Sequence, residues 1–316
     1  REEAGFPMHG ETTTVIHHPS EHALESVEWF GCPGGTPVLH VHRDPDALEA
    51  LAESWRRLTP DEASPFQTHG WNHAWYRTYC ATPSRILLFE LRDGDETVAI
   101  LPCYREGRAI RLAGDRICDY QDIVASDAPA VASMLREIVA WLTREAPGDH
   151  LRFEKLSSEG LLYRALHDLG QTPKEVLSFE KPFAPCPYAR LHGGLEGYLA
   201  SLPRKTRQDM RNSLSRLGRE APGARVNVLR GCEVRVDDLW NAAAFHSEHF
   251  RMGGHSPFHD PRLIDFFGRI AKDPDVGFQL AHQVEEAEQR EQRRQHQQAR
   301  GEDLAREVAE EHGPAA

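Results

Sequence analysis

Six basic side chains crowd into LPRKTRQDMRNSLSRLGRE, Leu202 to Glu220: Arg204, Lys205, Arg207, Arg211, Arg216 and Arg219, opposed only by Asp209 and Glu220. The surplus is local, because the chain as a whole carries −12 at pH 7. At about 100° per residue, a helix here places Arg204, Arg207 and Arg211 within a sector of roughly 60°. Met210, Leu214 and Leu217 fill the adjoining sector and are expected to face a core, while Lys205 and Arg216 point elsewhere. A basic row beside a buried edge looks into a cleft, where guanidinium forks hold a phosphate or a carboxylate. The plainer alternative is a solvated helix face.

A second candidate is DYQD. Asp119, Tyr120 and Asp122 follow a strand and a glycine-containing turn, where a carboxylate can act as general base for an amine. The same residues also serve as ordinary turn chemistry. His246, His249, His255, His259 and Asp260 lie close in sequence, but no zinc-ligand spacing fits them and no metal is expected. Neither GxxxxGK[ST] nor GxGxxG occurs. The segments RLHGG and RLAGD lack the further Gly or Ala with which a backbone wraps a pyrophosphate, so neither counts as a cofactor site.

At 316 residues the chain is long enough for about two domains. An acidic balance argues against a general nucleic-acid binder. A mean hydropathy of −0.57 is low for a packed protein and points to a solvated portion. Nothing approaches the ~18 apolar residues of a membrane span, and the amino end lacks a signal pattern. Cys32, Cys80, Cys103, Cys118, Cys186 and Cys232 are dispersed without a CxxC pair, the profile of reduced thiols, so a cytoplasmic location is expected. The first residue is Arg1, which places the natural start at Met8 or upstream.

These candidates need a scaffold. Residues 1–37 show little periodicity and are expected to be an irregular extension. VLHVH reads as a strand, and DALEALAESWRRL as a helix with Leu48, Leu51, Trp55 and Leu58 on one face. Trp71, Trp75 and Tyr79 recur at helical spacing and, with Phe66, read as a packed face. RILLFELRDGDETVAILPCYREGRAIRL reads as an antiparallel meander with an Asp-Gly turn. The helix VASMLREIVAWLTREA, the strand LRFEKL and the helix GLLYRALHDLG follow. The proline-rich SFEKPFAPCPYARL is the expected domain boundary, with a strand at its end. Beyond it come helices at LEGYLASL, KTRQDMRNSLSRLGRE, VDDLWNAAAFHSEHFR and DPRLIDFFGRIAKD, with strands at RVNVLRG and VGFQLA. Residues 282–316 are rich in Glu, Gln and Arg, with few large apolar groups, and are expected to be a disordered tail.

In order and spacing, PFQTHGWNHAWY, VAILPCYREG, RLAGDRICDYQD, LRFEKL, YLASLPRKTRQDMRNSLSRL and FHSEHFRMGGHSPFHD resemble the CelD/BcsL type of acetyltransferase. That group belongs to the GNAT superfamily and is related to the FemAB aminoacyltransferases; the resemblance spans roughly residues 38–281. It implies an α/β fold of tandem GNAT-like units, the first over 38–190 and the second over 191–281. It also implies N-acyl transfer from acetyl-CoA or another acyl-CoA to a small-molecule amine or sugar-linked acceptor, in polysaccharide or cell-envelope metabolism. Asp119, Tyr120 and Asp122 would then be catalytic, and Lys205, Arg207 and Arg211 would bind an anionic part of the substrate.

One departure from the family pattern bears on activity. The second unit should continue past VGFQLA with a hairpin, a loop and helix that cradle coenzyme A, and a last strand, whereas the polar tail begins there. The donor-binding half is therefore expected to be missing. A non-catalytic anion-binding or interaction protein on a truncated acyltransferase fold is the competing reading. Acceptor, acyl group and oligomeric state are not legible in the sequence.

Overall fold

The computed structural model describes residues 9–17, 37–80, 82, 85–171, 177–186, 193–220, 225–250, 256–274 and 276–284. In chain order the elements begin with β1 (His9–His17), β2 (Val38–His42), α1 (Asp46–Ala50), α2 (Ala52–Leu58), α3 (His69–Tyr79), β3 (Ile86–Asp93), β4 (Glu96–Glu106) and β5 (Ala109–Leu112). There follow β6 (Val124–Ala125), α4 (Ala128–Glu145), β7 (His150–Ser157), α5 (Leu161–Gly170) and β8 (Leu177–Cys186). The remainder is α6 (Gly194–Ser201), α7 (Arg204–Glu220), β9 (Arg225–Arg230), α8 (Val236–Phe250), α9 (Arg262–Ile270) and β10 (Gln279–Val284). The class is mixed α/β, as the resemblance implies.

Contacts divide the chain into two units. The first comprises Arg1–Tyr188 with Gly231–Phe278, the second Ala189–Arg230 with Gln279–Ala316. The first unit holds a mixed sheet in the order β2-β3-β4-β5-β7-β1-β8, with β6 paired to β4. Every neighbouring pair on that path is antiparallel except β5–β7. Side chains alternate across a strand, and in β3 both sets are covered. Leu87, Phe89 and Leu91 join Val131, Leu135, Ile138 and Trp141 of α4 in one core. Ile86 and Leu88 join Trp55, Trp71, Trp75 and Phe266 in the other. Burial on both faces explains why this strand is an almost unbroken apolar run.

The face predicted for the first helical segment is buried as expected at Leu48, Leu51, Trp55 and Leu58, although the helix divides at Leu51 into α1 and α2. Trp71 and Trp75 are core residues. Trp71 meets Phe266 edge-on at 4.8 Å between centroids, which packs α9 against α3.

Four features differ from the sequence reading. The amino-terminal segment, expected to be irregular, supplies β1, whose HGETTTVIH run pairs with β7 on one side and β8 on the other. The proline-rich crossing is itself strand: β8 carries Pro182 and Pro185, tolerated because β8 is the last strand of its sheet. Helices α8 and α9 belong to the first unit by contact, not to a unit beginning near residue 191. Finally, β10 runs to Val284, past the expected end of the folded pattern; the remainder of the polar tail lies outside the described residues.

In the second unit, β9 and β10 form an antiparallel ladder from Arg230↔Gln279 to Arg225↔Val284. α7 is one continuous helix without a buried residue, and Met210, Leu214 and Leu217 are 36, 68 and 51% exposed. The expectation that these three face a core is not met.

Because β8 has β1 as its sheet neighbour, removing residues 1–17 should strip β8 of its ladder. The expected result is a melting temperature lower by about 5 °C or more, with amide protection lost over Leu177–Cys186. An unchanged melt with protection intact would show that β1 does not hold the sheet.

Candidate active site

The parallel contact of β5 with β7 covers only Ala109↔His150 and Ile110↔Leu151. After Leu112 the chain leaves β7, turning at Gly114 (φ +83°). It comes back at Gln121, which pairs in parallel with Leu156 and donates its N–H to the Lys155 carbonyl at 3.2 Å. The Gln121 side-chain amide donates to the Ala113 carbonyl at 2.7 Å. Gln121 therefore supplies the partner β7 would otherwise lack at Leu156, and the segment Ala113–Ile123 becomes part of the sheet's interior edge.

Buried polar contacts fix that segment. The Tyr104 hydroxyl donates to Asp115 Oδ1 at 2.9 Å, and Arg111 Nε donates to Asp115 Oδ2. Arg111 also pairs with Glu154 at 3.3 Å. With Asp115 buried, the RLAGD turn is filled by its own ion pair. Trp71 Nε1 donates to Cys118 Sγ at 3.0 Å, and a Cβ at Gly114 would lie 2.5 Å from that sulfur. Burial pushes the Cys118 thiol far above its ordinary range, so it is no nucleophile.

What this scaffold presents is a corner of Asp119, Tyr120 and Lys155. Lys155 Nζ donates to the Cys118 carbonyl at 2.9 Å and pairs with Asp119 Oδ1 at 3.1 Å. Among the described residues, Tyr120 (φ +53°) and Lys155 (φ +57°) are the two non-glycine residues with positive φ. Each such conformation costs roughly 1–3 kcal/mol and concentrates at functional sites. Lys155 sits where the β1–β7 register shifts, Thr12 facing Leu156 and Thr14 facing Phe153, so the extra residue of a bulge aims its ammonium at the corner. Asp119 and Tyr120 are about half exposed.

Asp122, expected to share in catalysis, has another task. Its Oδ1 accepts from the amides of Ile123 (2.9 Å) and Leu162 (2.7 Å), and its Oδ2 from Leu161 (2.8 Å). It closes the start of α5, and Gly160 leaves room for it, since a Cβ there would stand 2.8 Å from Oδ2. Burial outweighs these donors and raises its pKa above the ordinary carboxylate value.

Five other helix starts of the first unit have one backbone amide taken by a side-chain oxygen. Asp44 accepts from Asp46, Thr68 from Trp71, Asp127 from Ala130, Asp238 from Arg235 and Asp260 from Arg262. Helix amino ends attract anions through unpaired amides and the helix dipole, and at each of these starts one amide is taken by the protein's own oxygen.

Lys205, Arg207 and Arg211 lie in the second unit, on α7. Arg207 turns back to donate to the Ala200 carbonyl at 2.8 Å, capping the last turn of α6, while Lys205 and Arg211 are exposed. The structure thus brings Asp119 and Tyr120 together and adds Lys155. It commits Asp122 to α5 and leaves the basic row on an open helix. Among the described residues no three His, Cys, Asp or Glu converge as metal ligands; His246 Nδ1 lies 3.0 Å from Ser256 Oγ and its ring stacks on Phe250. Lys155 escaped the sequence reading, though one signal existed. The buried positions Leu151 and Phe153 alternate, then slip by one to Leu156, and such a slip marks a bulge.

Residues 33–112, which span β2 to β5 with α1 to α3, match the family model described as the acetyltransferase (GNAT) domain. The match supports placement in the GNAT superfamily and an acyl-transfer function in general, and the mixed α/β architecture is consistent with that fold. No curated protein matches the chain.

Replacing Asp122 with Ala should cost about 1–3 kcal/mol, because it leaves two amides of α5 and that of Ile123 without their acceptor. Replacing Asp119 with Ala removes only an exposed ion pair and should shift stability by less than about 1 kcal/mol. Urea denaturation of both variants checks the contrast; equal losses would contradict the division of roles.

Proposed function

We propose that the protein is an N-acyltransferase whose amine acceptor is received at the Asp119–Tyr120–Lys155 corner. The observation that carries this is the strained, half-exposed corner immediately following the segment that matches the acetyltransferase model. The acceptor nitrogen attacks the thioester carbonyl of an acyl-CoA. A C–N bond forms, the C–S bond breaks, the thiolate leaves, and the proton shed by nitrogen passes to a base. Asp119, steered by Lys155, is that base, and the Tyr120 phenol flanks the acceptor. The motif resemblance supports an amino-sugar or other sugar-linked amine of envelope or polysaccharide metabolism as acceptor, acetyl-CoA as donor, and kinship with the CelD/BcsL group. Tandem units would follow from the same kinship.

The capped helix starts of the first unit favour a second reading. With an amide at each of these starts taken by Asp44, Thr68, Asp122, Asp127, Asp238 or Asp260, the described helix starts offer a donor pyrophosphate fewer free amides. A binding protein on an acyltransferase fold would need none.

Thiol release from acetyl-CoA with glucosamine and simple diamines tests the first reading, and calorimetry with acetyl-CoA separates it from the second. Asp119→Asn should lower turnover at least ~100-fold with an unchanged melt. Neither thiol release nor heat of acetyl-CoA binding from the 316-residue chain would overturn the catalytic reading and leave the second.

A further inference from the structure

We propose that α7 is an interfacial helix that seats the protein on an anionic lipid surface. Met210, Leu214 and Leu217 stand at i, i+4 and i+7 and form one apolar row, exposed along its length. The surface beside the row is open as well: a Cβ added at Gly218 would meet nothing within 4 Å. Next to the row on one side run Arg207, Arg211 and Arg204; Arg219, Lys205 and Arg216 share the following sector of roughly 60°, and Asp209 and Glu220 lie beyond them. At ~1.5 Å per residue the helix is about 25 Å long. That is enough to lay three apolar side chains into the headgroup–acyl boundary while long basic side chains reach sideways to lipid phosphates.

Charge and shape together choose this occupant. A small anion needs walls around it, and α7 has no buried residue with which to build one. A nucleic acid would use the arginines but gain nothing from a leucine that is 68% exposed. A second copy of α7 would set six basic groups against six more. An anionic bilayer satisfies both the apolar row and the basic flank. Among the described residues no helix is long and apolar enough to cross a membrane, so the contact is with the surface. This inference does not depend on the acyltransferase reading.

Co-sedimentation of the full chain with phosphatidylcholine vesicles, with and without 30% phosphatidylglycerol (~30%, so that the surface is strongly anionic), tests it. Binding is expected only with the anionic lipid and should weaken as salt rises. Arg204→Gln with Arg211→Gln, which leaves the Arg207 contact with α6 in place, should reduce partitioning roughly twenty- to thirtyfold, and Leu214→Glu about tenfold or more. Arg136→Gln with Arg144→Gln on α4, which removes equal charge elsewhere, should leave it within about twofold. Circular dichroism confirms that each variant is folded. No binding to the anionic vesicles, binding indifferent to Leu214→Glu, or an equal loss in the α4 pair would overturn the proposal. So would α7-dependent binding to RNA without binding to vesicles.

Discussion

A single backbone hydrogen bond, from the Gln121 amide to the Lys155 carbonyl, does much to determine the candidate site. It is needed because β5 accompanies β7 for only two residue pairs, after which the bases of two parallel strands separate. An unpaired strand edge inside a sheet is costly, and Gln121 relieves that cost by pairing with Leu156. The geometry that lets it do so places Tyr120 and Lys155 in left-handed conformations and brings Asp119 within 3.1 Å of the Lys155 ammonium. The buried Arg111–Asp115–Tyr104 group and the Trp71–Cys118 contact keep the segment from relaxing. Strain at the corner is thus offset by packing one layer beneath it.

Carboxylates serve two separate purposes in the first unit. Five of them, Asp44, Asp122, Asp127, Asp238 and Asp260, stand at helix amino ends and accept from backbone amides there. Asp122 is the fullest example, with three amides on two oxygens. Asp119 lies three residues earlier and is directed by a side-chain ammonium. A carboxylate spent on amides is a structural group. One paired with an ammonium at the surface keeps further lone pairs open to solvent. The difference between the two lies in position on the same short loop, not in residue type.

The second unit follows a different economy. Its helix α7 is stabilised by local propensity and by charge pairs such as Arg216–Glu220 at 3.9 Å, without burial of its apolar row. In the first unit the equivalent rows on α2, α3 and α4 are enclosed by the sheet. An amphipathic pattern states that a helix has a face to cover, and is silent about what covers it.

The distinction between pattern and partner separates what could be read early from what could not. Periodicity alone located the Leu48–Leu58 face, the aromatic face of Trp71 and Trp75, the β3–β4–β5 meander and α4, because each depends on contacts repeating every two or every 3.6 residues. The acidic loop was also visible, as a turn bearing Asp119, Tyr120 and Asp122. Long-range pairing was not. HGETTTVIH carries too weak an alternation to announce a strand between β7 and β8, and Lys155 reaches the corner only through a bulge defined by its partner strand. Asp122 parts company with Asp119 because Leu161 and Leu162, 39 and 40 residues later, bring their amides to it. The sequence by itself determined which segments have an apolar face and where charge gathers, since these are local properties. Which carboxylate is structural, which helix returns to the first unit and which apolar row stays open were decided by tertiary structure, since each depends on groups far apart in the chain.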